Sequence, residues 1–214
     1  MAKHTFAMSD VTGDTRVVAR SAKGYDWNYL ADDETLLFGS TDETAFSVKN
    51  IIPGTGISTG TNTIFKGAVL RMGDVIETTI VIDLTGLNSG NADGDVIGVA
   101  DTANCHLGQI TAAKNGTLFA GTMQCVETPA GGEPDVDLNS NTGATLTEDA
   151  AHDASGTSAA LLATAADWTN ILAPKGLTAV PAADTYLYLV ASGGATNNTY
   201  TAGKFVIKLY GYDA

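Results

Sequence analysis

DTYLYLVASGGATNNTYTAGKFVIKLYGYDA, residues 184–214, decides the fold class: two alternating runs flank a Gly/Asn/Thr loop, and the second run reaches almost to the last residue. In the first run Leu187 and Leu189 share one face and Tyr186 and Tyr188 the other. In the second, Phe205, Ile207 and Leu209 alternate with Lys208, Tyr210 and Tyr212. A period of two is that of a strand with one face in a core. If the two strands are neighbours, their other faces form one aromatic ladder. Three uses of that ladder compete: packing under a loop, a subunit interface, or a platform on which a sugar stacks.

The same grammar runs upstream. From Val75 to Leu84, Ile76, Ile80, Ile82 and Leu84 share one face while Glu77, Thr79 and Asp83 take the other, the pattern of a half-buried strand. Residues 34–51 suggest two short strands around a polar turn, 53–62 and 86–95 read as loops, and 129–157 reads as a surface excursion with a short strand near 135–138. Residues 158–166, SAALLATAA, fit a helical turn or two, or a strand. The runs 105–112 and 117–126 flank Asn115-Gly116, the strongest short hairpin signal, because both residues tolerate positive φ. That hairpin would set Cys105 opposite Cys125 and Leu107 opposite Met123. The pair is then expected as two buried thiols, or as a disulfide after later oxidation. No period of 20–50 residues recurs, so solenoids and propellers are excluded. The expected fold is an all-β antiparallel sandwich, most simply a jelly roll over 31–214, with an extended N-terminal arm over 1–30.

Composition sets the outer limits. At 214 residues the chain is long enough for a full core without staples, and its two cysteines exclude a disulfide scaffold. No signal-like or membrane-spanning apolar run is present, so synthesis in a cytoplasm and no membrane insertion are expected. A net charge of −13 argues against nucleic acid as a partner. The charge is uneven. No Lys or Arg lies between Lys114 and Lys175, whereas Lys3, Arg16, Arg20 and Lys23 outnumber Asp10 and Asp14 near the start, as in an arm that docks on a neighbour.

Candidate chemistry is sparse. Gly56-Ile57-Ser58-Thr59-Gly60 matches the nucleophile-elbow pattern, but that motif needs a strand before it and a helix after it, and a strand-like run follows here. His4, His106 and His152 have no metal-ligand spacing. Asn91, Asp93 and Asp95, and again Asp135, Asp137 and Asn139, alternate oxygen ligands as calcium loops do. An EF-hand, however, wants Gly sixth and Glu twelfth, where Val96 and Thr102, and Ser140 and Leu146, stand. No catalytic residue, metal site or cofactor is assigned.

The segments GAVLRMGDVIETTIVIDLTGLNSGNADGDVIGVAD (67–101), AADWTNILAPKGLTAVPAA (165–183) and the closing run 184–214 resemble structural proteins of tailed bacteriophages, especially marine ones, that decorate or cement the capsid as jelly-roll modules. The likeness is one of strand and turn style and covers under half of the chain. It implies a virion protein on the outer capsid surface that binds the major capsid protein, stabilises the head shell, forms a homotrimer and carries no catalytic residue. The interface candidates come from the residues themselves: Tyr186, Tyr188, Tyr210, Tyr212 and Lys208 on the outward faces of the closing runs, and Arg16 and Arg20 in the basic N-terminal segment. The alternative is a carbohydrate- or receptor-binding module of a tail fibre or adhesin.

Overall fold

The computed structural model describes residues 6–11, 14–20, 26–30, 35–37, 46–169, 173–193 and 197–213, with side chains from Lys49 onward. The strands are β1 (Phe6–Val11), β2 (Asp14–Arg20), β3 (Asp26–Leu30), β4 (Thr35–Leu37), β5 (Phe46–Asn50), β6 (Ile64–Met72), β7 (Val75–Asp83), β8 (Gly108–Ile110), β9 (Thr117–Ala130), β10 (Val136–Asn141), β11 (Ser158–Leu162), β12 (Lys175–Gly176), β13 (Thr185–Ala191) and β14 (Ala202–Tyr212). Two single helical turns, α1 (Thr55–Ser58) and α2 (Ala112–Asn115), interrupt them.

One sheet runs β1-β2-β3-β4-β5-β6-β7-β14-β9-β12 and the other β11-β10-β13-β8, with every strand pairing antiparallel. Within this frame β7, β14, β9 and β12 face β8, β13, β10 and β11. Taken in chain order, β7 to β14 cross between the sheets as the eight strands of a jelly roll do. The fold is therefore an all-β sandwich with jelly-roll connectivity. β6 and the meander β1–β5 prolong the larger sheet beyond it.

The core lies where the alternation places it. Ile76, Ile80, Ile82 and Leu84 from the β7 run, Phe205, Ile207 and Leu209 from β14, and Leu187 and Leu189 from β13 form one buried cluster with Val136, Leu138, Met123 and Trp168. Burial of these side chains is the main stabilising term, each worth about 1.5–3 kcal/mol relative to exposure.

Several sequence expectations are corrected. The hairpin 105–126 does not form: β8 pairs β13 in the small sheet, while β9 pairs β14 and β12 in the large one. Asn115-Gly116 ends a helical turn instead. The Thr111 N–H donates to the Asn115 Oδ1 (2.9 Å), the Asn115 amide donates to Thr78 Oγ1 (2.7 Å), and Gly116 leaves at φ 65°. A Cβ there would lie 2.4 Å from the Tyr212 carbonyl oxygen, so glycine is required by space as well as by dihedral.

Cys105 and Cys125 are consequently not cross-strand neighbours. Cys125 sits opposite Phe205 in the main core, and Cys105 packs with Val96, Leu146 and Tyr188 in a second, smaller cluster. Both are free and buried, and burial pushes the Cys105 thiol up to about 12. Alkylation by iodoacetamide at pH 8 is expected to follow unfolding, with both thiols labelling at the rate of global opening. Fast labelling of either in the native protein would contradict this burial.

The remaining corrections concern segments. The short strand expected near 135–138 within a surface excursion is the longer β10, 136–141, paired between β11 and β13 with Val136 and Leu138 fully buried. The expected loop 53–62 contains α1, and of the two readings open for 158–166 the strand holds, over Ser158–Leu162.

Candidate functional site

The structure separates the tyrosines into two groups on opposite outer surfaces. Because β13 and β14 belong to different sheets and turn Leu187, Leu189, Phe205, Ile207 and Leu209 into one core, Tyr186 and Tyr188 point out on one side and Tyr210 and Tyr212 on the other.

On the small-sheet side, the loops 88–106 and 142–157 cover the strands. Tyr188 is fully buried, donates its hydroxyl to the Gly143 carbonyl (2.7 Å), and has its pKa raised by burial. The His106 ring lies against Tyr186 (centroids 4.8 Å) and Tyr188 (6.2 Å), with Nδ1 buried and without a hydrogen-bond partner. Burial holds His106 below the usual imidazole range. An unfolded chain, with an ordinary histidine near 6.5, takes up that proton first. This group therefore subtracts stability as pH falls through about 6.5 toward its depressed folded value. Glu148, Asp95 and Asp137 act oppositely, since burial holds each above the usual carboxylate range. In thermal unfolding, His106→Phe is expected to narrow the stability lost between pH 7.5 and 5.5 relative to the parent. An unchanged difference would show that His106 does not sense the pH.

The same loops absorb the calcium-like residues. Asp95 accepts the Asn91 (3.0 Å) and Ala92 (2.7 Å) N–H groups, Asp149 accepts the Asn91 side-chain amide (2.7 Å), and Asp93 accepts the Gly193 N–H (3.2 Å). Asp135 takes the Thr164 hydroxyl and Asp137 the Thr164 N–H. These are turn and strand-end bonds. Among the described residues no group of three or more His, Cys, Asp or Glu side chains converges as a metal site. Ser58 is exposed at the end of α1, and the strand β6 follows it. His152 bonds Ser158 through Nδ1 (2.8 Å), and His4 lies outside the described residues.

The large-sheet side is open. β7 turns Val75, Glu77, Thr79 and Val81 outward, and β14 turns out Lys204, Val206, Lys208, Tyr210 and Tyr212 in register with them. The charged part of this face neutralises itself: Lys208 bonds Glu77 (2.8 Å), and Lys204 lies between Asp83 (3.2 Å) and Glu127 (3.3 Å). The Lys208 ammonium, helped by the Thr79 hydroxyl, holds Glu77 below the usual carboxylate range. Lys208, an interface candidate, already has an intramolecular partner.

The other end of this face is apolar and uncovered. Met72 pairs with Val75, Val75 with Tyr212, and Tyr212 meets the Phe119 ring at 6.3 Å, with exposures of 48%, 49%, 44% and 60% in the order Met72, Val75, Tyr212, Phe119. Phe119 is displayed by a bulge: Tyr210 pairs with Ala120 and Gly211 with Leu118, leaving Phe119 as the extra residue. Tyr210 is half-buried beside them. Met72, Val75 and Phe119 were not among the sequence candidates. Their only local signal is the Gly73-Asp74 turn between Met72 and Val75, with Gly73 at φ 61°. Arg16 and Arg20 fall on β2, whose side chains lie outside the described residues.

Fold and surface together define a jelly-roll β-sandwich with an exposed aromatic and aliphatic row on its larger sheet. No protein-family model, no curated protein and no solved structure matches the chain. No helix among the described residues is long and apolar enough to cross a membrane.

Proposed function

We propose that the chain is a virion structural protein of a tailed bacteriophage, a decoration or cement protein that binds the assembled head shell through the major capsid protein and stabilises it. The observation that carries this reading is the row Met72–Val75–Tyr212–Phe119, an exposed apolar strip beside charges that are already paired within the sheet. Clustered exposed apolar side chains mark protein–protein contact, with aromatic residues as the usual anchors. The phage-like style of 67–101 and 165–214 supplies the kind of partner. The mechanism is linkage: a protein that binds only the assembled lattice adds its binding free energy to the stability of that lattice. A homotrimer on local symmetry axes would present three such strips at once.

Counting copies of the chain per purified particle by quantitative mass spectrometry tests the proposal. A high copy number in fixed ratio to the capsid subunit supports it; absence from particles, or a few copies in the tail, overturns it. The adhesin alternative would use the same Tyr212–Phe119 pair, and glycan-array binding lost on Tyr212→Ala in a folded protein would favour it.

A further inference from the structure

The end of β5 opens a wedge in the large sheet. β5 and β6 pair from Phe46↔Met72 to Asn50↔Ala68, and one more bond follows, from the Ile51 N–H to the Gly67 carbonyl (3.2 Å). The chain then peels away at Ile52-Pro53 toward α1, and the Gly54 N–H bonds the His106 carbonyl instead (2.9 Å). Pro53 has no N–H with which to continue the ladder. Between the departing chain and β6 lies a cavity of about 490 Å³, lined by Ile51, Ile52, Pro53, Ile57, Phe65 and Lys66 among others.

One wall of the wedge is unpaired backbone. In an antiparallel ladder the N–H and C=O of one residue point the same way, and residues two apart share that direction. The Gly67 carbonyl faces the β5 side, so the Phe65 N–H and C=O face it too, where the chain has already left. Phe65 remains paired to Ile82 of β7 on its other side, and no further backbone bond reaches its N–H or C=O among the described residues. A free donor and acceptor at ladder spacing, between exposed Ile52 (71%) and Ile64 (50%), matches the main chain of an extended peptide.

We propose that this wedge is a strand-addition site that takes an extended segment of a partner protein, apolar and acidic by turns. The alternation follows from the pleat. A partner residue opposite Phe65 points its side chain to the apolar inner side of the wedge, with Ile51 and Ile57, and the next residue points to the side of Lys66. Lys66 is exposed and makes no ion pair among the described residues, so a carboxylate complements it. The site is separate from the Met72–Phe119 row and stands whether or not the partner is a capsid.

The probe is the capped peptide acetyl-Val-Glu-Val-Glu-amide, titrated into the ¹⁵N-labelled full chain. The expected result is saturable shifts confined to Ile52, Ile64, Phe65 and Lys66, with slower hydrogen exchange at the Phe65 amide. Phe65→Pro removes the free N–H and leaves β7 pairing intact, and is expected to weaken binding at least tenfold. The same peptide N-methylated at its central amides should lose binding to the unaltered protein by a similar factor, which keeps the test decisive if Phe65→Pro fails to fold. Shifts located elsewhere, or equal binding of the methylated peptide, overturn the proposal. Equal binding of acetyl-Val-Lys-Val-Lys-amide overturns its acidic component.

Discussion

Trp168→Ala is expected to lower stability by about 3–5 kcal/mol, the range for removing a fully buried large aromatic ring. For a chain of this size that corresponds to a fall in Tm of roughly 10 °C. Three independent contacts converge on this side chain. Its ring meets Phe205 edge-on at 5.5 Å, the Lys175 ammonium sits 4.2 Å over it, and its Nε1–H donates to the Val136 carbonyl (2.7 Å). The last contact is the informative one. β11 pairs with β10 only as far as Leu138↔Leu162, so the Val136 carbonyl lies beyond the end of its neighbouring strand, and the indole supplies the donor that the ladder lacks. Trp168→Phe separates the terms: it keeps most of the buried area but strands that carbonyl, at a cost of about 1–3 kcal/mol. Thermal and urea unfolding should rank the proteins parent, Trp168→Phe, Trp168→Ala. A loss below about 1 kcal/mol for Trp168→Ala would show that the core does not depend on this ring.

The parts of the fold legible in the sequence were those that depend on period alone. Ile76, Ile80 and Ile82, and Phe205, Ile207 and Leu209, alternate without interruption, and alternation states which side chains face inward whatever the neighbouring strand is. Which strand lies beside which is a non-local matter, and there local signals misled. Asn115-Gly116 carries a strong hairpin signal, but the Asn115 side chain folds back on Thr111 and Thr78, and the chain uses positive φ at Gly116 to leave a helical turn and change sheets. The Cys105–Cys125 pairing failed with it. Most of β10 looks like surface in the sequence because Asn139, Ser140 and Asn141 are typical loop residues. They are buried because β10 lies between β11 and β13, and the Asn141 amide donates to the carbonyls of His152 (2.7 Å) and Ser155 (2.9 Å) in the covering loop.

The candidate surface shows the same division. That the closing strands carry tyrosines on their outward faces was legible, but sequence could not assign β13 and β14 to different sheets. The single ladder expected from Tyr186, Tyr188, Tyr210 and Tyr212 is two unrelated surfaces, one closed by loops and one open. Phe119 could not be read at all, because a bulge interrupts the alternation that would have placed it.

Phe119→Asp combined with Tyr212→Asp is therefore expected to abolish retention on particles while leaving the protein folded. Substitutions at exposed positions usually change stability within about 0.5 kcal/mol, and both side chains are roughly half exposed or more; because Phe119 is the extra residue of a bulge, thermal unfolding of the double variant accompanies the binding measurement. If the row is the docking surface, its aromatic anchors each carry about 2 kcal/mol or more, and burying a carboxylate against an apolar partner adds a further penalty. Loss of even one such anchor weakens affinity about 30-fold. The measurement is co-sedimentation of purified variant with particles lacking the protein, beside a control, Lys204→Gln, in the self-paired charged part of the same face. Lys204 sits between Asp83 and Glu127, so its removal alters charge without touching the apolar row. Retention lost in the double variant and kept in Lys204→Gln places binding on the row. Equal retention of both moves the interface off this face, and loss of both makes the interaction electrostatic, which would show as a steep dependence on salt.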